Sequence, residues 1–453
     1  MALLSESEAQ AIIQKVLDLS KADECFGQLV GGRNGNVRFA RNTVSTSGAS
    51  DTLDLSVVCS FGKKTGYATT NEFDDASLEK TVRRSEELAR LAPEDPEYVE
   101  LLGPQTYAQP PSHKETTAKL SPEGRADLTA ASIKVCREQG VTGAGYFAQS
   151  DRFSAIANTR KLRGYQRATS VNFSVTTRTP DGLGSGYGVA DFNDVRALDT
   201  GAVTASAARK ALLSREAKAL EPGKYTVILE AAAATDLIGH MVSSMAARSA
   251  DEGRSFLSKP GGGSRLGEKL MDERVHLSSN PLHPDLPGAA WSGDGRPQRA
   301  VDWIKNGVVT NLSYSRYWAR QKGVAGDGVP PLSRGAGEIG AFESTPGVIM
   351  AGGEANLDQL VKGVKRGILV TRFWYIRLVD PQTLLFTGLT RDGTFYVENG
   401  EIKHAVKNFR FNESPVIMLN NLEALGRPQR VNASLIPPMV LRDFTFSSLS
   451  DAV

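Results

Sequence analysis

The chain has 453 residues, 40% of them hydrophobic, with 53 lysines and arginines against 51 aspartates and glutamates. That length accommodates roughly two to four domains with sizeable cores, and the balanced charge excludes the basic footprint of a nucleic-acid or anionic-membrane binder. Three scattered cysteines, Cys25, Cys59 and Cys136, imply neither a disulfide framework nor a CxxC metal site, which fits a reducing cytoplasm.

The N-terminal MALLSESEAQAIIQKVLDLS lacks a basic leader and a long apolar core. It reads as an amphipathic helix over 7–19, with Ala11, Ile12, Val16 and Leu19 forming the stripe. No run of about 18 apolar residues follows, so no membrane span is expected. Strands are expected at 25–30, 37–40, 52–60 and 65–69, with GGRNGN at 31–36 as a turn. A helix at 75–91 leads into proline-rich residues 92–120, which read as a linker. The order then recurs. A helix over 121–139 has Ser121 as cap and Pro122 at its first position. Strands follow at 145–149, 154–158, 168–177 and 184–189, then a helix at 200–220. Asn42-Thr43 matches Asn158-Thr159, Leu55-Ser56-Val57 matches Phe173-Ser174-Val175, and Gly66-Tyr67 matches Gly186-Tyr187, in the same order.

The expected fold is α+β. An N-terminal domain, 1–220, contains two helix–four strands–helix units, at about 1–91 and 121–220. A C-terminal domain, 221–453, is rich in antiparallel strands. It opens with KYTVILEAAAATDLIGHM at 224–241, a strand running straight into an apolar helix over 231–244. Such a turn presents free backbone N–H groups and a positive dipole end, and a metalloprotease would place two histidines and a glutamate on the helix. Here the turn carries Glu230, four alanines and Thr235. Residues 320–345 read as a Gly/Pro-rich loop. Asn306-Gly307, Asp392-Gly393 and Asn399-Gly400 signal hairpin turns in strand-rich surroundings. A closing helix is expected at 414–425.

GGGS at 261–264 lacks the GK[ST] ending of a phosphate loop and reads as a flexible loop. Asp236 and His240 are four residues apart on the helix, an arrangement open to metal ligation or to a solvated helical pair. His276 and His283 flank a turn and match no metal spacing, though Asp272 or Asp285 could join them on a metal. Cys59 and Cys136 read as small buried hydrophobes, and no GxSxG elbow is present. The cluster Lys362, Lys365, Arg366, Arg372 and Arg377 could meet a peptide carboxylate, but reads first as a helix end and an exposed strand face.

The stretch VKGVKRGILVTRFWYIRLVDPQTLLFTGLTRDGTFYVENGEIKHAVKNFRFNES, around 360–412, resembles the C-terminal signature of the TldD/PmbA family, once labelled modulator of DNA gyrase. TLDLSVVCSFGKKTGYATTNEFDDASL is similar to that family's first domain. The resemblance implies a cytoplasmic metalloprotease system, in which a TldD-type and a TldE (PmbA)-type subunit form a heterodimer that degrades or trims unfolded peptides. TldD-type chains carry HExxxH at the strand-to-helix turn and a later cysteine. Matching the strand puts Glu230 at the first histidine, Ala231 at the glutamate and Thr235 at the second histidine, and no cysteine follows Cys136. The resemblance therefore implies a TldE-like subunit with no cofactor of its own. Zinc is expected in a histidine-bearing TldD-like partner, the substrate is a peptide, and Glu230 and Arg372 are candidates for the peptide cleft. Two rivals stay open: a stand-alone metallopeptidase using His240, His276 or His283, and a homodimeric peptide-binding scaffold without catalysis.

Overall fold

The computed structural model describes residues 3–332 and 347–450; the part of the expected 320–345 loop from 333 onward lies outside them. Helix α1 (Glu6–Leu19) starts at a reciprocal Ser5–Glu8 capping box. It buries Ala9, Ile13, Val16 and Leu17, a stripe rotated from the expected one. Strands β1 (Glu24–Ala40), β2 (Thr43–Phe61) and β3 (Lys64–Thr70) follow, then α2 (Asp75–Leu91). After a single turn, α3 (Glu115–Ala118), the pattern returns as α4 (Pro122–Glu138), β4 (Thr142–Asn158), β5 (Arg163–Arg178), β6 (Ser185–Phe192) and α5 (Thr200–Leu213). The six strands form one antiparallel sheet in the order β3-β2-β1-β4-β5-β6.

Each half thus holds three strands, not the four expected. The segment 31–36 is no turn: β1 passes straight through it, paired with β2 on one side and β4 on the other. Its glycines answer to space. A Cβ on Gly31 would stand 2.3 Å from the Phe153 ring, and one on Gly32 would stand 2.6 Å from Arg152 Cγ. Likewise β4 runs unbroken across the gap expected at 150–153. Residues 92–120 are strapped down. Leu101 N–H donates to Glu24 Oε2 (3.0 Å), Glu97 pairs with Arg248 (2.7 Å), Glu100 with Arg320 (2.8 Å), and Tyr107 Oη donates to the Gly295 carbonyl (2.7 Å).

The remainder contains β7 (Gly223–Leu229), α6 (Ala231–Ser243), α7 (Ala247–Asp251), β8 (Leu277–Ser279), β9 (Val301–Lys305), β10 (Val308–Val309), α8 (Arg316–Gln321) and β11 (Ile349–Met350). Next come α9 (Leu357–Lys362), β12 (Arg366–Asp380), β13 (Leu385–Glu398), β14 (Glu401–Ala405), β15 (Phe409–Glu413), α10 (Pro415–Asn420), β16 (Leu422–Leu425), β17 (Gln429–Val431), β18 (Ser434–Ile436) and β19 (Met439–Leu449). The closing helix expected at 414–425 stops at Asn420, because 422–425 pairs with β19 instead. One sheet runs β10-β9-β8-β11-β18-β17. The other runs β12-β7-β19-β15-β13-β14, and pairing of β12 with β13 closes its first five strands into a ring. Among the paired strands of the described residues, two pairings are parallel, β7 with β12 and β11 with β18. Phe373, Phe409, Phe411, Phe444 and Phe446 pack in the core with the apolar face of α6. Ring centroids stand 4.5 Å apart in Phe373–Phe411 and Phe409–Phe446, within the range of favourable aromatic pairs. The fold is α+β, with antiparallel pairing dominant. Among the described residues no helix is long and apolar enough to cross a membrane.

Candidate functional site at the strand-to-helix turn

Strand β7 lies inside the ring, antiparallel to β19 and parallel to β12, with Val227, Ile228 and Leu229 fully buried. Its carboxyl end is therefore held on both sides, and the chain turns there into α6. The Glu230 N–H donates to the Val370 carbonyl (3.0 Å), and its own carbonyl accepts from Ala234 N–H (3.0 Å). Glu230 is the N-cap, yet its side chain caps nothing. The carboxylate instead takes the ammonium of Lys210, with Nζ to Oε2 at 2.7 Å, and Thr371 Oγ1 lies 3.4 Å from Oε1. Lys210 comes from α5 and also donates to the Tyr187 carbonyl (3.3 Å). Both side chains are largely shielded, at 9% and 16% exposure. Removing one member of such a pair costs about 3–5 kcal/mol, because the survivor is left charged and dry.

The neighbouring motif positions are filled as firmly. Ala231 offers a buried methyl group. Thr235 is buried, and its hydroxyl donates to the Ala231 carbonyl at 2.7 Å, a bond back into its own helix. This donor set does not fit a zinc ion. One carboxylate is already neutralised by an ammonium, one position has no donor atom, and one hydroxyl is engaged. A cavity of about 400 Å³ opens beside the turn, lined by Lys210, Glu230, Lys362 and Glu401 over Leu369 and Phe395.

The histidines are placed separately. His240, in the last turn of α6, sets its ring tilted against Phe386 with centroids 4.9 Å apart. His276 meets Asp302, with Nε2 to Oδ1 at 3.2 Å. His283 Nδ1 accepts the Asp285 N–H at 3.2 Å. Among the described residues, no three histidines, cysteines or carboxylates come together as a metal site.

Arg372 is drawn into a cluster beside the same region. Its Nε stands 3.0 Å from Asp392 Oδ2, and its guanidinium lies 3.9 Å from the Tyr187 ring centroid and 5.0 Å from that of Trp374. Asp392 is buried and also accepts from the Ser185 hydroxyl. Burial pushes the Tyr187 phenol above its ordinary value, and the Arg372 charge over the ring pulls the other way. Arg372 therefore joins β6 to the ring rather than standing open to a peptide carboxylate. Sequence reasoning missed Lys210, Asp392 and Ser185. The signal for Lys210 was weak, because it follows Arg209 in a helix of small residues such as Thr204, Ala207, Ala208 and Ala211. None existed for Asp392, because Asp392-Gly393 looks like a hairpin turn. The two residues instead form a left-handed kink (φ 56° and 123°) within β13, where a Cβ on Gly393 would stand 2.8 Å from Thr371 Oγ1.

The profile of the PmbA/TldA metallopeptidase C-terminal domain matches residues 222–448, and that of PmbA/TldA metallopeptidase domain 1 matches residues 29–89. The chain belongs to the PmbA/TldD metallopeptidase family. It is 23% identical over 172 residues to a metalloprotease of Methanothermobacter thermautotrophicus, covering 37% of this chain and 36% of that protein. It is also 23% identical over 173 residues to a zinc metalloprotease TldD homolog of Saccharolobus solfataricus, covering 35% of each. The chain thus spans about a third of the length of the curated relatives it matches. Solved structures share the fold over 97% of this PmbA/TldD chain. A Thermotoga maritima protein labelled as a modulator of a DNA gyrase superposes with a TM-score of 0.83 at 18% identity over 100% of its own chain. TldE from Thermococcus kodakarensis does so with 0.82 at 17% identity over 99%.

Proposed function

We propose that this family member is the subunit without a metal site in a two-subunit peptidase that degrades or processes peptides and unfolded proteins. The observation that carries the reading is the Lys210–Glu230 pair, which puts an ammonium at the turn where the family resemblance expects metal ligands. Catalysis then belongs to a histidine-bearing, zinc-loaded TldD-like partner, and this chain walls the cavity. A long free edge supports a role in holding extended peptide. Strand β3 pairs only with the 55–61 part of β2, and among the described residues no strand is laid along the outer edge of 43–54. Backbone groups on such an edge can accept an added strand. We place the subunit in the cytoplasm, which the three free cysteines support.

Metal content after dialysis and cleavage of an unfolded peptide test this reading. The isolated chain should carry no stoichiometric zinc and cleave nothing, and cleavage should appear on co-expression with a family member bearing HExxxH. Stoichiometric zinc, or cleavage by the chain alone, would restore the stand-alone reading and point to His240, His276 and His283. A chain that pairs only with itself, with no cleavage under any pairing, would favour the homodimeric scaffold.

A further inference from the structure

Cys25 on β1 and Cys59 on β2 are direct cross-strand partners, both fully buried, with their sulfurs 3.8 Å apart. The Cys25 N–H donates to Thr159 Oγ1 (3.1 Å) and its carbonyl accepts from Thr159 N–H (2.9 Å), so both groups point away from β2. The Cys59 N–H donates to Ser85 Oγ (3.0 Å). The cysteines therefore occupy a non-hydrogen-bonded position of the ladder, where Cα atoms approach to about 4.5 Å. That lies inside the span a disulfide accepts, about 4.4–6.8 Å. The register therefore permits a disulfide to close by side-chain rotation.

The surroundings are polar on one side only. Ser20 Oγ lies 3.7 Å from the Cys59 sulfur and 3.4 Å from a carboxylate oxygen of buried Glu86. The short connection from α1 to β1 covers this side, with Ser20 half-buried and Lys21 exposed. Sharing a proton with Cys59, together with burial, raises the Cys25 thiol, while the hydrogen bond from Cys25 favours ionisation at Cys59.

We propose that Cys25 and Cys59 form a reversible intramolecular disulfide under hydroperoxide, making the β1–β2 hairpin a thiol-oxidation site. The Cys59 thiolate attacks one peroxide oxygen, the O–O bond breaks, and the departing hydroxide takes the proton that Cys59 released. Cys25 then attacks the resulting sulfenic sulfur. An S–S bond forms, the S–O bond breaks, and a second water leaves with the Cys25 proton. Two thiols are oxidised by two electrons, and one peroxide is reduced to two waters. The bond ties the strands together at the base of the free edge of β2.

The test is thiol titration in denaturant with intact mass on the full chain, before and after hydrogen peroxide. The reduced chain should titrate three thiols, in keeping with its three cysteines. The oxidised chain should titrate one and be two hydrogens lighter, with all three restored by dithiothreitol. Cys136→Ser should still lose two thiols, whereas Cys25→Ser should form no intramolecular bond and instead gain oxygen at Cys59. Retention of all thiols, oxygen addition to the native chain, a disulfide-linked dimer, or a bond involving Cys136 in the peptide map would overturn the proposal.

Discussion

The two halves of the six-stranded sheet follow one plan and use it differently. In both, a glycine of the outer strand lies against the backbone of the closing helix. A Cβ on Gly66 would stand 2.1 Å from the Ser85 carbonyl oxygen and 2.3 Å from Ala89 N; on Gly186 it would stand 2.0 Å from the Ala207 oxygen and 2.7 Å from Ala211 N. These contacts align Ser85 with Ala207 and Leu88 with Lys210. The first half keeps the buried polar groups of its closing helix within itself. Ser85 Oγ serves the Cys59 N–H and donates toward the Val57 and Gly66 carbonyls. Glu86 is buried with Arg83 and the Lys21 N–H, and these hold its carboxyl below the usual range against the opposing effect of burial. The second half turns polar groups at other positions outward. Lys210 binds Glu230, Ser185 binds Asp392, and Asp191 binds Arg430 at 2.9 Å in a pair about nine-tenths buried. The first half shares its core and ion pairs with the rest of the N-terminal sheet, while the second half also mounts the C-terminal region.

The sharpest way to break this comparison is Lys210→Met. It strands the Glu230 carboxylate and should cost about 3–5 kcal/mol in denaturant unfolding. The double variant with Glu230→Gln should recover much of that loss, and Leu88→Met at the matching position should cost less than about 1.5 kcal/mol. Equal effects at 88 and 210 would show that the second half carries no special tie.

Next in size, Gly66→Ala and Gly186→Ala should each lose about 1–3 kcal/mol, because the obstacle is helix backbone and cannot rotate away. A neutral result at either site would break the equivalence of the two junctions. Ser85→Ala should cost about 1–2 kcal/mol by leaving the buried Cys59 N–H without its acceptor. The change has no counterpart in the second half, where Ala207 already stands.

The smallest effect concerns the strap. Arg320 beside Glu100 holds that carboxyl down at about 2, against an ordinary 4.5. A depressed folded-state value means the contribution is present above about pH 4.5 and disappears as pH falls toward 2. Acid titration of Glu100→Gln should therefore show a deficit of under about 1 kcal/mol near neutral pH, the scale of exposed pairs. That deficit should vanish near pH 2, and one that persisted there would place the effect elsewhere.

Much of this protein is settled by local chemistry and was legible in the sequence. Ser121-Pro122 starts α4, the bounds of α2 follow from the pattern at 75–91, and Asn306-Gly307 and Asn399-Gly400 turn their hairpins with both residues at positive φ. Such signals act within a few residues and need no distant partner. The residue types at 230, 231 and 235 could likewise be read directly, along with the family resemblance around them. Tertiary structure alone decided where strands continue and where charges go. Glycines at 31–36 look like a turn until β2 and β4 are present to pair both edges and to fill the space a side chain would need. Asp392-Gly393 looks like another until Ser185 and Arg372 close around the carboxylate. The Lys210–Glu230 pair, the facing thiols of Cys25 and Cys59, and the pairing of β7 with β12 and β19 join residues of separate elements. Strand pairing and charge burial are properties of both partners at once, so no single stretch of sequence carries them.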